Sequence, residues 1–158
     1  MEKITPCLWF DTEGEEAAQF YTSVFPNSRI VEVTRYGSAG PRAEGSVMTV
    51  SFELDGQPFT ALNGGPDFKF NEALSLEVHC ESQDEVDSFW SALNADGGEE
   101  GPCGWLKDKY GVSWQIVPTV LYELIADPDR EKSQRVMAAM LKMRKIEIDE
   151  LEKAAAAA

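Results

Sequence analysis

The chain has 158 residues, of which 43% are hydrophobic, a composition typical of one globular domain or of two small modules that share a core. Its 28 acidic and 14 basic residues give a net charge of −14, which opposes binding to nucleic acid and to anionic membranes. No apolar run approaches the roughly 20 residues that cross a bilayer, and no secretory signal begins the chain, so we expect a cytoplasmic protein.

Three cysteines and one histidine limit the available chemistry. Cys7, Cys80 and Cys103 are odd in number and far apart, which argues against a disulfide framework and against a zinc motif. His79 alone cannot supply a metal site that needs two or three imidazoles. His79 and Cys80 are adjacent on a strand and face opposite sides, so we expect no Cys–His couple. We expect His79 to be exposed or hydrogen-bonded.

The first half of the chain predicts one strand, one helix and three further strands. The predicted segments are strands at 4–10, 29–36, 47–54 and 57–62 and a helix at 15–25. Both faces of the first strand are apolar, so we expect it to be buried. Asp11 or Thr12 can cap the helix, and Asp55-Gly56 is a hairpin signal. The loop at 37–45 is interpreted as a plain surface loop or a mobile lid.

The second half repeats this order. A strand at 75–80 precedes a helix for which Ser82 and Glu85 can form a capping box, and three short strands follow. Residues 107–111 have hairpin chemistry, with Gly111 free to adopt a positive φ. Neither βαβββ half can bury both faces of its sheet alone. We therefore predict an α+β fold in which paired βαβββ modules form a curved eight-stranded mixed sheet.

The predicted domain covers residues 1–118, with modules at 3–63 and 70–118, and a helical C-terminal extension covers 119–158. In the extension we expect Pro128 at a first helical position and Asp149 as the cap of a last helix. The methionine-rich face at 136–143 is interpreted as core packing or as a partner surface.

The last predicted strand carries an amide in its middle. Its residues Val112, Trp114 and Ile116 share one apolar face that must pack. The opposite face carries Ser113, Gln115 and Val117. Gln115 either faces solvent or points into a cavity as a polar anchor, in which case we expect it to hold a water or a neighbour such as Ser75.

The same region carries a family resemblance. Residues 104–108 (Gly-Trp-Leu-Lys-Asp) and 111–115 (Gly-Val-Ser-Trp-Gln) resemble the C-terminal signature of PhnB-like proteins. That family is also called the 3-demethylubiquinone-9 3-methyltransferase domain family, within the glyoxalase/bleomycin resistance/dioxygenase, or vicinal oxygen chelate, superfamily. Further matching stretches are 4–10, 17–25, 64–66, 70–73 and 83–90. The resemblance covers about residues 3–145 and implies the paired-module fold and a homodimer, with or without strands exchanged between chains.

The resemblance also implies where metal ligands would stand. The corresponding positions fall near Pro6 or Leu8, at Leu62 or Asn63, near Ser75 or Glu77, and at Gln115. A typical set combines histidines with carboxylates, whereas Glu77 is the only acid here. We therefore expect no metal and no cofactor. The methyltransferase part of the family's name is not supported either, because the sequence has no Gly-rich turn between a strand and a helix with an acidic residue beyond it.

Two functions remain open from the sequence. The first is a protein that binds or sequesters a small molecule without a standard metal site, and the second is a lyase, isomerase or dioxygenase-like enzyme of the superfamily. The predicted ligand pocket consists of Trp9, Phe59, Phe70, Ser75, Trp105 and Gln115. Glu72 and Glu77 are candidate catalytic acids. Glu72 is interpreted either as a general base or as a structural acceptor for backbone amides or a lysine.

Overall fold

The computed structural model describes residues 1–157, which divide into a first unit, Met1–Phe70, and a second unit that starts at Asn71. The first unit contains β1 (Cys7–Phe10), α1 (Gly14–Val24), β2 (Arg29–Arg35), β3 (Val47–Leu54) and β4 (Gln57–Asn63). The second contains β5 (Ser75–Cys80), α2 (Gln83–Asn94), β6 (Glu99–Glu100), β7 (Trp105–Lys107), β8 (Ser113–Pro118), α3 (Thr119–Ile125), α4 (Arg130–Met140) and α5 (Ile148–Ala156). Within residues 1–157, every helix is too short or too polar to cross a bilayer.

Each unit contains one mixed four-stranded sheet. The strand orders are β1-β4-β3-β2 and β5-β8-β7-β6, and in each sheet the first two strands are parallel while the others are antiparallel. The two orders are the same permutation, which confirms the α+β class and the predicted βαβββ repeat. The eight strands lie in two sheets of four. The pairing of the two modules into one domain stays a prediction.

The core of the first unit is an aromatic stack under α1. Tyr21 on the buried side of α1 lies 6.4 Å from the ring of Phe52, which stacks 5.5 Å from Phe59. Leu8 is buried on the same side of the sheet, whereas Cys7 is exposed. The expectation that both faces of the first strand are buried is therefore wrong, because α1 covers only one side of it.

The start of α1 differs from the prediction. Glu13 is the cap residue, and no side chain of the Asp11–Glu13 loop caps the helix. Instead Asn63, at the end of β4, accepts a hydrogen bond from the Gly14 amide at 2.7 Å through its Oδ1. Its Nδ2 donates to the Val47 carbonyl at 3.2 Å. The Gly14 amide, which has no partner within the helix, is thus paired with a residue 49 positions away in the sequence. This contact replaces the hydrogen bond that a local cap residue would have made.

The β7–β8 hairpin of the second unit is built around one buried acid. The Asp108 carboxylate accepts hydrogen bonds from the Tyr110 amide at 2.8 Å and the Val112 amide at 3.1 Å. It also accepts from the Trp114 indole Nε1 at 2.8 Å. Gly111 has φ +88°, as the hairpin chemistry predicts. Asp108 is therefore a structural residue that holds Trp114 in the core.

The C-terminal helices pack onto the second unit around a shared apolar cluster. Its buried members are Val117, Leu121, Val136, Ile146 and Leu151. Met140 and Met143 pack against this cluster, which favours the core interpretation of the methionine-rich face. Gln83 of α2 fixes the segment between α4 and α5, because its amide group donates to the Ile146 carbonyl and accepts from the Ile148 amide.

Two predicted details of the extension are wrong. Asp129 is the cap of α4 and accepts from the amides of Glu131 and Lys132, so Pro128 lies outside the helix. Asp149 lies in the first turn of α5, whose cap residue is Glu147. In both cases a nearby acid occupies the boundary, one residue after Pro128 for α4 and two residues before Asp149 for α5, and an acid in a first turn still suits the helix dipole.

Candidate functional site

The open face of the second sheet is the side opposite α2. Strand alternation and register place on it Ser75, Glu77 and His79 of β5, Ser113, Gln115 and Val117 of β8, and Trp105 and Lys107 of β7. Gln115 is paired with Glu77 on one neighbouring strand and with Trp105 on the other. We call Glu77, Gln115 and Trp105 the central row. It joins a carboxylate, an amide and an indole on adjacent strands.

Gln115 is anchored within this face. Its Nε2 donates a hydrogen bond to the Ser75 Oγ at 2.9 Å, as the sequence predicted for an amide that holds a neighbour. The side chain is half-buried, so it is neither a free surface group nor sealed in the core. The amide oxygen of Gln115 is therefore directed by a fixed partner on the next strand.

Glu77 has two polar neighbours besides Gln115. The Tyr122 hydroxyl of α3 donates to its Oε1 at 3.5 Å, and the His79 Nε2 lies 3.5 Å from its Oε2. Burial is the main cause that raises the pKa of the Tyr122 phenol, and Glu77 raises it further. The phenol is therefore protonated at neutral pH. The rings of His79 and Tyr122 pack edge to face at 5.6 Å, so the two side chains hold each other beside the carboxylate.

One end of the open face carries an ion pair and an orphaned hydroxyl. Lys107 pairs with Glu72, and the hydrogen bond from Lys107 is the main cause that lowers the pKa of Glu72. Glu72 thus serves as an acceptor for a lysine, and its role as a general base stays a prediction. Ser113 lies between Ser75 and Lys107, and its Oγ is buried with no hydrogen-bond partner among residues 1–157. A buried polar atom of this kind normally requires a partner, such as a water or a ligand group.

The other end of the open face is closed by the C-terminal helices. Val117, one step beyond Gln115 on this face, is buried in the cluster formed with Leu121 and the later helices. Tyr122 of the same α3 reaches back to Glu77. The sequence predicted the helices but not these contacts, because nothing in a helical pattern identifies the strand residue on which the helix will pack.

The three pocket residues that were predicted in the first unit have separate environments. Phe59 is buried with Phe52 on the α1 side of its sheet, and Phe70 packs edge to face on buried Phe10 at 5.1 Å. Trp9 lies on the opposite side of that sheet, half-buried and edge to face with Phe68 at 4.9 Å. Phe59 therefore belongs to the core stack, and we leave it out of the proposed ligand face.

Trp9 also explains the Gly64-Gly65 pair. Its Nε1 donates to the Gly65 carbonyl at 2.9 Å, and a Cβ at Gly64 would overlap the indole ring. Gly65 has φ +102°, a conformation that favours glycine. The segment after β4 leads to β5 without an intervening helix. It is thus a packing surface for Trp9 and lacks the strand–turn–helix geometry of a dinucleotide or methyl-donor site.

The residues at the implied metal positions do not fit a metal. Asn63 is engaged with Gly14 and Val47, and Leu62 has no donor atom. Glu77 and Gln115 supply one carboxylate and one neutral amide, a set that is poor for a borderline metal. In the part of the chain that the structure describes, no group of three or more His, Cys, Asp or Glu side chains is placed to hold a metal ion.

Comparisons with known proteins agree with this architecture. Residues 2–117 match the family model described as 3-demethylubiquinone-9 3-methyltransferase. A PhnB protein from Bacillus cereus is 39% identical, with a TM-score of 0.67 over 75% of this chain and 100% of that chain. Protein PA1353 from Pseudomonas aeruginosa is 18% identical, with a TM-score of 0.62 over 75% of this chain and 98% of that chain.

A more distant similarity extends to an antibiotic resistance protein. The fosfomycin resistance protein FosX from Mesorhizobium loti is 13% identical, with a TM-score of 0.57 over 80% of this chain and 100% of that chain. At this identity the likeness, like that to PA1353, concerns the fold alone. A search of curated proteins finds no match.

Proposed function

The chain belongs to the 3-demethylubiquinone-9 3-methyltransferase family of PhnB-like proteins, and from that premise we propose that it binds a small molecule on the open face of its second sheet without a standard metal site. Gln115 is the polar anchor of the proposed site, and Ser75 and Trp105 line it. Trp9 and Phe70 belong to the first unit, and their assignment to a ligand pocket stays a prediction from the sequence. Nothing among residues 1–157 supports methyl transfer, although the family's name refers to it.

The observation that carries this proposal is the central row. A half-buried amide with a fixed partner on the next strand lies between a carboxylate and an indole on adjacent strands. Ligand sites combine apolar walls with a few convergent polar groups of this kind. The orphaned Ser113 hydroxyl, on the same strand face as Gln115, supports the proposal further, because a partnerless buried hydroxyl is costly in a core.

A paired substitution tests this function. A thermal-shift screen of metabolites identifies a ligand, and Gln115→Leu is then expected to abolish its binding while leaving the free energy of unfolding equal or slightly higher. Gln19→Leu, on the exposed side of α1 in the first unit, is the matched control and should bind normally. Unchanged binding in Gln115→Leu would remove Gln115 from the site. A large loss of stability in that variant would assign Gln115 a structural role instead.

The enzymatic alternative has one supporting observation, the Glu77 carboxylate with His79 and Tyr122 beside it. Elemental analysis of protein purified without chelator separates the two functions. We expect no stoichiometric metal, and saturating Zn²⁺ or Ni²⁺ should stabilise the fold by well under the roughly 2.7 kcal/mol given by a ligand at 100 times its Kd. A larger stabilisation that disappears in Glu77→Ala would favour the metalloenzyme.

The proposal includes a cytoplasmic homodimer. All three cysteines are free, which suits a reducing compartment. The large side chains of Val31, Phe68, Leu74 and Leu141 are exposed, and those that lie at the proposed dimer interface would be covered there. Sedimentation at micromolar concentration should give twice the 17.5 kDa chain mass, and a monomer alone would contradict the dimer. A fluorescent fusion tests the location.

A further inference from the structure

The central row has a polarity that narrows the class of ligand. Building on the proposed function, we propose that the site takes a flat organic cation with N–H donors, such as an amidinium. The Glu77 carboxylate would pair with the positive charge of the ligand. The Gln115 amide oxygen would accept a hydrogen bond from one of its N–H groups, and the Trp105 ring would stack on its flat side.

The hydrogen-bonding groups of the row favour a donor ligand. One of the two N–H groups on the Gln115 Nε2 is used by the Ser75 Oγ, whereas the amide oxygen is available to accept a hydrogen bond. An ionised Glu77 carboxylate can only accept hydrogen bonds. About half of the Glu77 side chain is exposed (48%), so a ligand can reach it. A ligand rich in acceptors would place its lone pairs against the Gln115 amide oxygen and the Glu77 carboxylate, which is unfavourable.

The charges on the open face point the same way. Lys107 is neutralised by Glu72, and in register on the next strand stands another acid, Glu99. His79 is the remaining basic group and lies against Glu77 itself. The site therefore has no unpaired fixed positive charge among the described residues of this face, and the chain as a whole carries −14. Such a field attracts cations and repels anions before contact.

The walls of the row suit a planar group. Trp105 flanks Gln115 on the β7 side and is half-buried, and an indole face is the strongest aromatic partner for a cation. On the β5 side, the Tyr122 phenol and the His79 ring back the Glu77 carboxylate. Beyond Gln115 along the strand, Val117 is covered by the C-terminal helices. The part of the open face that stays accessible thus includes the central row, where Glu77 is exposed and Gln115 and Trp105 are half-buried.

Three probes of one shape and different charge test this inference. Benzamidine, benzamide and benzoate share a ring and a planar substituent, but they carry a positive, zero and negative charge at pH 7. Each is titrated into the full chain at fixed ionic strength and followed by amide NMR shifts. We expect benzamidine to bind about tenfold more tightly than benzamide, with benzoate weakest. Glu77→Gln should abolish the preference, whereas Glu152→Gln, an exposed α5 control with the same charge change, should retain it.

The outcomes separate this inference from the proposed function. If benzamide or benzoate binds as tightly as benzamidine and binding is lost in Gln115→Leu, the site stands and its cation preference is wrong. A preference that persists in Glu77→Gln would also overturn the inference. If none of the three probes shows binding that depends on Gln115, the inference fails, and the proposed function is decided separately by the metabolite screen with Gln115→Leu.

Discussion

The two units share one strand order but differ on their open faces. In the first unit, the paired strands β1 and β4 place Cys7 beside Thr60 and Trp9 beside Leu62 on the side away from α1. In the second unit, β5 and β8 place Glu77 beside Gln115. One scaffold therefore places uncharged side chains at these paired positions in one copy and a carboxylate and an amide in the other. The repeat fixes the positions of side chains, and their identity decides which copy can recognise a polar ligand.

The hairpins at corresponding places differ in the same way. Between β3 and β4, Asp55 and Gly56 make a two-residue turn through their own positive φ values, 48° and 78°, and Asp55 is exposed. Between β7 and β8, the buried Asp108 carboxylate gathers three donors. The first turn depends on backbone conformation, and the second depends on one side chain.

The largest effect on stability is expected from a core residue of the first unit, Phe59, compared with Trp105 on the ligand face of the second unit. Phe59→Ala should cost about 3–5 kcal/mol of unfolding free energy, because it leaves a cavity in the buried aromatic stack. Trp105→Ala, on the half-buried open face, should cost less and should weaken ligand binding instead. Urea denaturation measures both variants. A loss below about 1 kcal/mol for Phe59→Ala would contradict its place in the core.

The two hairpins give the next comparison. Asp108→Ala should lose about 2–4 kcal/mol, since it strands two backbone amides and the indole N–H of Trp114. Asp55→Ala should lose only about 1 kcal/mol, the cost of an alanine at a positive φ. Equal losses in the two variants, measured by denaturation, would mean that the Asp108 hydrogen bonds contribute nothing beyond turn formation.

A smaller effect is expected beneath Trp9. In Gly64→Ala the new methyl group overlaps the indole, so we expect a loss of about 1–3 kcal/mol and a shifted tryptophan emission. Gly37→Ala is the matched control, because a Cβ there meets nothing within 4 Å, and its effect should stay within about 0.5 kcal/mol. A silent Gly64→Ala would show that the ring has room to move.

The smallest effect on stability is expected from the surface ion pair between Asp87 and Lys145, which links α2 to the segment between α4 and α5. Hydrogen bonding to Lys145 is the main cause that lowers the pKa of Asp87, and the same contact raises the pKa of Lys145. The contribution of Asp87 to the free energy of unfolding is therefore present above its unfolded pKa of about 3.9. It is lost as the pH falls through the lower pKa that Asp87 has in the folded protein. Both side chains are partly exposed, so it should stay below about 1 kcal/mol.

Asp87→Asn checks this pair through the pH dependence of the difference in stability. The gap between the original chain and the variant should be constant from pH 5 to 8 and should close below about pH 4. It should also narrow in 1 M salt, which screens surface charges. A gap that widens on acidification would have the wrong sign for a carboxylate whose pKa is lowered in the folded state.

Much of the fold was predictable because alternation is a local signal. The predicted bounds of β3 and β5 match the structure, and the parallel register of β5 and β8 accounts for the contact between Ser75 and Gln115. The cap of α1 was not predictable from its own loop, since Asn63 is supplied by the end of β4. The burial of Asp108 was missed as well, because a turn sequence does not reveal where its carboxylate points.

The site was predictable only in part. Gln115 was identified as a mid-strand amide opposite an apolar face, whereas Ser75 and Glu77 were identified only from the positions that the family resemblance implied. Phe59 was grouped with the pocket although strand alternation places it with Ala61, a position that the structure shows to be buried against α1. Tyr122 was missed because its contact with Glu77 depends on how α3 docks, which is a tertiary property that helical periodicity does not contain.

The central claim is that the open face of the second unit, and not that of the first, recognises the ligand. It is tested most directly by mapping backbone amide shifts during titration with benzamidine. Saturable shifts should cluster at Glu77, Trp105 and Gln115 and disappear in Gln115→Leu. Shifts confined to β1 and β4 of the first unit, or shifts that persist unchanged in Gln115→Leu, would contradict it.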